Sequence, residues 1–228
     1  MDVKRPYDGS RRQAATRATK REVLDAAHRL FLELGYPAAT MARIAEESDV
    51  PPATMYRLFG SKRAILKELL DVALGGDDEP IEFQHRPEVQ EAFAAKSPEA
   101  MLDAFVHLLR GVVQRSGALQ HVLATSAVVD HEAAVMWETT RQQRHTGQGR
   151  IVGDLARRRA LRRDLTQAQA TDIVYTLMSP EVYRTLTVER GWTVDDYEVW
   201  LGGTLRDQLL RAPEADEDPA SPLSPTGR

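Results

Sequence analysis

Residues 40–62 read TMARIAEESDVPPATMYRLFGSK, and this stretch decides the fold. Thr40 stands before an apolar-periodic octet, Met41 to Ser48, in which Met41, Ile44 and Ala45 share one face, so the spacing predicts a short helix capped by a threonine hydroxyl. Asp49-Val50-Pro51-Pro52 breaks the chain tightly, and a second short helix is predicted from about Pro52 to Leu58, since proline is tolerated in a helix's first turn. Phe59-Gly60 ends it, and Ser61 caps an apolar helix carrying Ile65, Leu66, Leu69, Leu70 and Leu74. On the other side, Val23, Leu24, Ala27, Leu30, Phe31 and Leu34 mark a helix from about Arg17 that Gly35 stops. Two short helices across a tight turn, buttressed fore and aft, form the helix-turn-helix arrangement whose second helix enters the DNA major groove.

The residues also resemble the signature of the TetR family of regulators, approximately T-x-x-x-I-A-x-x-x-G-V-S-x-x-T-x-Y-x-x-F-x-S-K before an apolar helix. Thr40, Ile44, Ala45, Val50, Thr54, Tyr56, Phe59, Ser61 and Lys62 match it in order and spacing. Three positions depart: Asp49 replaces the turn glycine, Pro51 a capping serine or threonine, and Leu58 a frequent histidine. Aspartate tolerates a left-handed turn, whereas Pro51 removes a cap and a donor. Ile44, Ala45, Val50, Met55 and Phe59 are expected to pack a small core. Thr40 is expected at a phosphate, with its structural job as N-cap compatible. Arg43, Pro52, Ala53, Thr54 and Arg57 are expected on or beside the DNA-facing surface, where small residues admit close approach and an arginine reads guanine or holds a phosphate. By resemblance, Tyr56 gives its hydroxyl to a phosphate and Lys62 adds charge at the next helix's N-terminus.

Charge distribution agrees. Residues 1–70 hold 13 Lys and Arg against 9 Asp and Glu, while residues 71–228 hold 17 against 25, so a net charge of -4 conceals a basic front and an acidic back. Lys4, Arg5, Arg11, Arg12, Arg17, Lys20 and Arg21 concentrate the basic character, which suits a polyanionic partner or a solvated leader. We divide the chain into a flexible basic arm (1–16), a DNA-binding domain (17–74), a helical regulatory and dimerisation domain (75–211) and a disordered tail (212–228) rich in proline and acid.

Beyond a polar stretch reaching Pro98, the pattern predicts helices at about 98–115, 118–128, 131–159, 166–189 and 194–211, with a break near Ser179 before Pro180 and no strand period. The fold class is therefore all-α. The resemblance implies a homodimer formed by the last two long helices, and we expect Tyr183, Leu186, Tyr197, Leu201 and Leu205 at that interface, in a stripe shared with Val194 and Leu209 that could equally be core. It also implies an organic effector, with Phe105, Leu109, His121, Met136, Trp137, Thr140, Arg144, Tyr175 and Met178 as candidate pocket lining, although most could simply fill a core.

Other function classes have little support. The chain has no cysteine, excluding thiolate metal sites and a cysteine nucleophile. His131-Glu132 opens a zinc-protease-like motif but lacks the second histidine, Gly147 to Gly153 has the wrong spacing for a dinucleotide loop, and no G-x-S-x-G turn occurs. We expect no enzyme and no cofactor, and, with neither signal peptide nor membrane span in view, a cytoplasmic protein. The expected function is a repressor released from a palindromic operator by a small organic effector; the rival is an architectural or cell-division factor that binds DNA without one.

Overall fold

The computed structural model of the chain describes residues 9–77, 79 and 81–211. The expected tail and residues 1–8 of the expected arm lie outside these. Helix α1 runs Gly9–Ala38, so it is already helical before Arg17. Gly35, at φ 76° and ψ 164°, interrupts it as the sequence indicated, and Ala39 then closes a last turn by donating to the Gly35 carbonyl at 3.2 Å. Helices α2 (Met41–Ser48), α3 (Pro52–Phe59) and α4 (Lys62–Gly75) follow, and the hydroxyls of Thr40 and Ser61 accept the N–H groups of Arg43 and Ala64 at 3.3 and 3.2 Å.

The polar stretch before Pro98 is not structureless. A 3₁₀ turn, Phe83–His85, leads into α5 (Pro87–Phe93), because Arg86 binds both carboxylate oxygens of Asp77 at 2.8 and 2.9 Å and folds this segment back on the end of α4. Helix α6 is continuous over Pro98–Ser126, where two helices were expected. Ser116 satisfies its hydroxyl inside the helix by donating to the Val112 carbonyl at 2.7 Å, and Gly117 lies against the ring of Tyr183, 4.0 Å from where a Cβ would sit.

Helix α7 (His131–Arg157) returns antiparallel from an Asp130 cap. Then come α8 (Gln167–Leu177), α9 (Pro180–Arg184) continuing as a π-helical turn (Thr185–Glu189), and α10 (Val194–Leu209). Ser179 caps α9, so the chain breaks where Pro180 demanded it. Among the described residues the one β pairing is an isolated bridge between Leu161 and Leu210, and no helix is long and apolar enough to cross a membrane.

Two apolar clusters organise the molecule. The first joins Val23, Phe31, Ile44, Met55, Phe59 and Leu66 of α1–α4 to Leu119 and Leu123 of α6 and Ala133 of α7, with Met136 and Trp137 against it. The second gathers Val89, Met101, Phe105, Val113, Ile151, Leu155, Val174 and Met178 with the inner face of α10. That inner face corrects the expected interface. Tyr197, Leu201 and Leu205 are 0 % exposed within a single protomer, so they pack the core and have no surface to offer a second chain. The stripe is the face α10 turns to α6 and α8. Tyr183 and Leu186 remain half-buried beside it, with the Tyr183 ring edge-on to Tyr197 at 5.0 Å.

Because the first cluster crosses from the small front helices into α6 and α7, Leu123→Ala should lower stability by about 2–5 kcal/mol and shift one cooperative thermal transition. A front-end transition separating from the rest in calorimetry of the wild type would contradict this shared core.

Candidate nucleic-acid interface

The reading segment is built by its turn. Asp49 adopts the left-handed conformation (φ 54°, ψ 26°) expected of it, and its N–H bonds back to the Glu46 carbonyl at 3.3 Å to close α2. Pro51 gives α3 no side-chain cap, as its chemistry requires; its carbonyl instead accepts Thr54 and Met55 N–H at 2.9 and 3.1 Å. Met55 and Phe59 turn inward. Pro52, Ala53, Tyr56 and Arg57 are exposed, Tyr56 by 53 %, while Thr54 is half-buried at the edge of that face. A short helix therefore presents two small residues, an aromatic hydroxyl and a guanidinium on one surface.

Charges flanking that face fall into two groups. Lys20 pairs with Glu68 at 2.9 Å, Arg29 with Glu47 at 2.9 Å and Lys67 with Asp71 at 2.5 Å. Arg43 on α2, Arg57 on α3 and Arg63 on α4 are exposed, and among the described residues none has a carboxylate partner. Uncompensated cations beside a protruding helix are the electrostatic footprint of a phosphate backbone. Arg63 escaped the sequence reading; its signal is a second cation directly after Lys62 in a helix's first turn, a position with several unsatisfied N–H donors.

Thr40 is exposed and its hydroxyl is engaged as the α2 cap. Lys62 is placed differently from the expectation. Its ammonium donates to the Tyr36 carbonyl at 2.7 Å and the Pro37 carbonyl at 3.4 Å, and lies 4.0 Å over the Tyr36 ring. It neutralises free carbonyls after the Gly35 break and ties α1 to α4. Burial lowers its pKa from the ordinary lysine value, while Asp130 and Glu132 act in the opposite direction. Burial likewise pushes the Tyr36 hydroxyl up to about 12, with Glu132 and Asp130 adding to it, so this buried, unpartnered phenol stays neutral.

The candidate effector residues separate into four settings. Met136 and Trp137 pack against the first apolar cluster; Phe105, Leu109 and Met178 belong with the second, Phe105 edge-on to Phe93 at 4.7 Å. His121 is exposed. Thr140, Arg144 and Tyr175 lie between, at the α7–α8 contact, where Thr140 returns its hydroxyl to the Met136 carbonyl and Arg144 stacks 4.0 Å over Tyr175. None lines either of two surface clefts, one of about 330 Å³ between α1 and α2 and one of about 260 Å³ between α6 and α10.

Residues 23–69, the four front helices whose geometry is described above, match the family model of bacterial regulatory proteins, tetR family. Over these helices the chain carries a tetR-family DNA-binding domain. It is a DNA-binding transcriptional regulator. Over 178 residues, 70 % of this chain and 83 % of the relative, it is 29 % identical to the transcriptional repressor KstR of Mycolicibacterium smegmatis. Over 54 residues, 24 % of this chain and 29 % of the relative, it is 41 % identical to the regulator YvkB of Bacillus subtilis. The whole TetR-type architecture is shared with solved structures. NalD, the secondary repressor of the MexAB-OprM multidrug efflux pump in Pseudomonas aeruginosa, superposes with a TM-score of 0.64 at 17 % identity, over 86 % of this chain and 98 % of that one. A TetR-family regulator from Syntrophomonas wolfei gives 0.68 at 14 %, over 83 % and 94 %.

The left-handed turn of this regulator generates a stability prediction. Removing the Cβ at φ 54° in Asp49→Gly should raise stability by ~0.5–1 kcal/mol, read as a higher denaturant midpoint with unchanged slope. A midpoint that falls would mean that the aspartate side chain holds the turn.

Proposed function

We propose that this regulator is a homodimeric repressor whose two α3 helices read a palindromic operator and whose regulatory domain releases DNA on binding a small organic effector. The observation that carries the reading is the α3 surface: Tyr56 and Arg57 exposed beside small residues, with the unpaired Arg43 and Arg63 on either side. Pro52 and Ala53 allow close approach to base edges and methyl groups, and Arg57 reads a guanine or grips a phosphate. Thr40, Tyr56, Arg43 and Arg63 hold the backbone in register. Thr54, from the edge of the helix, completes the base-facing set. Lys62 acts from behind, fixing α1 against α4.

A dimer supplies a second reading head about 34 Å, or a multiple, from the first. With the inner stripe of α10 committed to the core, the mate is met by the outward face, where Val199 is 75 % exposed and Gly203 has open space beside it, and by Val188 and Trp192 of the preceding segment. The absence of a side chain at Gly203 lets a partner helix approach closely. Repression as the outcome follows KstR and NalD, both named as repressors. Effector action is linkage: a ligand binding better to a dimer with altered head spacing lowers DNA affinity by its differential binding energy. Helix α7 spans the route, since its first turn packs on the front core and its last turns on the regulatory core.

Two experiments test this. Fluorescence anisotropy on the regulator's own promoter region should show saturable nanomolar binding; Tyr56→Phe and Arg57→Ala should each weaken it, and only loss of a cationic phosphate contact should reduce the salt slope, by about one. Weak binding indifferent to sequence and to both changes would sink the operator reading. In sedimentation, Val199→Arg should give a folded monomer while wild type is dimeric, whereas an undisturbed dimer would place the interface elsewhere.

A further inference from the structure

The interior of the regulatory domain is interrupted by a polar layer. Along α6, the apolar residues of the second cluster end at Val113 and those of the first begin at Leu119; between and beside them Ser116 and Gln120 are buried, Gln120 donating to the Ser116 hydroxyl at 2.8 Å. Along α7, Ala133, Met136 and Trp137 belong with the first cluster and Ile151, Val152 and Leu155 with the second; between them lie Arg144 and Gln148, one turn apart. Tyr175 of α8 closes the layer, its ring under the Arg144 guanidinium.

This layer is unfinished. Gln148 is only 6 % exposed, yet its side-chain carbonyl oxygen has no hydrogen-bond partner, and Nη1 of Arg144 is buried without one. Arg144 also lacks an acidic partner among the described residues, because the nearby carboxylates are taken: Glu138 pairs with Arg141 and Asp172 with His145. Arg141 donates to the Tyr175 hydroxyl at 3.1 Å, so the surroundings add positive charge rather than cancel it. Buried polar groups are ordinarily satisfied and a buried charge ordinarily paired. An unpaired guanidinium and an unpaired acceptor, separated by roughly 6 Å of helix rise, define the complement that would complete them.

Resting on the effector reading above, we infer that this layer binds the effector, and that the effector is a small organic acid whose carboxylate pairs with Arg144 and whose hydroxyl, about one helical turn away, donates to Gln148. The guanidinium is preorganised for this by its stacking on Tyr175, which leaves its edge for a carboxylate. Apolar side chains of the two clusters flank the layer, and Trp137, two turns toward the front core on α7, is placed to report occupancy.

Isothermal titration of the full-length protein without DNA tests the inference, using 3-hydroxybenzoate and 6-hydroxyhexanoate, each against its methyl ester. At least one acid should bind saturably and at least tenfold tighter than its ester. Arg144→Gln should abolish the acid-over-ester preference; Gln148→Leu should weaken acid and ester alike by about tenfold, and should melt no lower than wild type because it removes an unpaired acceptor. No saturable binding of either acid, equal affinity for acid and ester, or an acid preference surviving in Arg144→Gln overturns it. The same titrations on DNA-bound protein separate the two readings. Acid that binds through Arg144 without releasing DNA upholds the site and defeats the effector mechanism. Release by an uncharged compound, unchanged in Arg144→Gln, does the reverse.

Discussion

Everything in this regulator depends on one shared apolar cluster. The front helices α1–α4 share their core with the long helices α6 and α7, whose Leu119, Leu123 and Ala133 belong to the same cluster as Phe31, Ile44, Met55 and Leu66. Burial of these side chains is the dominant favourable term. It makes the helix-turn-helix continuous with α6 and α7 rather than an appendage on a linker.

That constraint explains the behaviour of several polar residues. Lys62 lies where the chain turns from α1 into α2 and back through α4, and it bonds free carbonyls left by the Gly35 break. The same packing that orders the reading head thus withdraws one cation from its surface and leaves Arg43, Arg57 and Arg63 outside. The second cluster makes a comparable demand on α10. Its most apolar stripe is drawn inward against α6 and α8, and Val199 is left exposed on the opposite face. Between the two clusters, burial is sacrificed: Arg144 and Gln148 hold unsatisfied groups where aliphatic side chains would pack without penalty.

Local signals carried much of this into view. Caps at Thr40, Ser61 and Ser179, the Gly35 interruption, the left-handed Asp49 and the break before Pro180 all arise from interactions within a few residues, so they are legible from neighbours in the chain. The exposed face of α3 is legible for the same reason, since helical period alone separates Met55 and Phe59 from Tyr56 and Arg57. The continuous α6 was not, because a glycine at 117 reads locally as a stop, while the ring that packs beside it comes from α9, more than sixty residues away. Neither was α5, which is folded back by an ion pair between Asp77 and Arg86.

The sequence by itself determined the all-α class, the helix-turn-helix and the side chains exposed on α3, because period, caps and turn chemistry act over one or two helical turns. Only the tertiary structure decided which apolar stripe becomes core and which becomes surface, where the Lys62 ammonium goes, and which interior polar groups lack partners. Amphipathic period shows that a face will be buried but not by what, and a hydrogen bond is satisfied or left open by atoms brought together from distant parts of the chain.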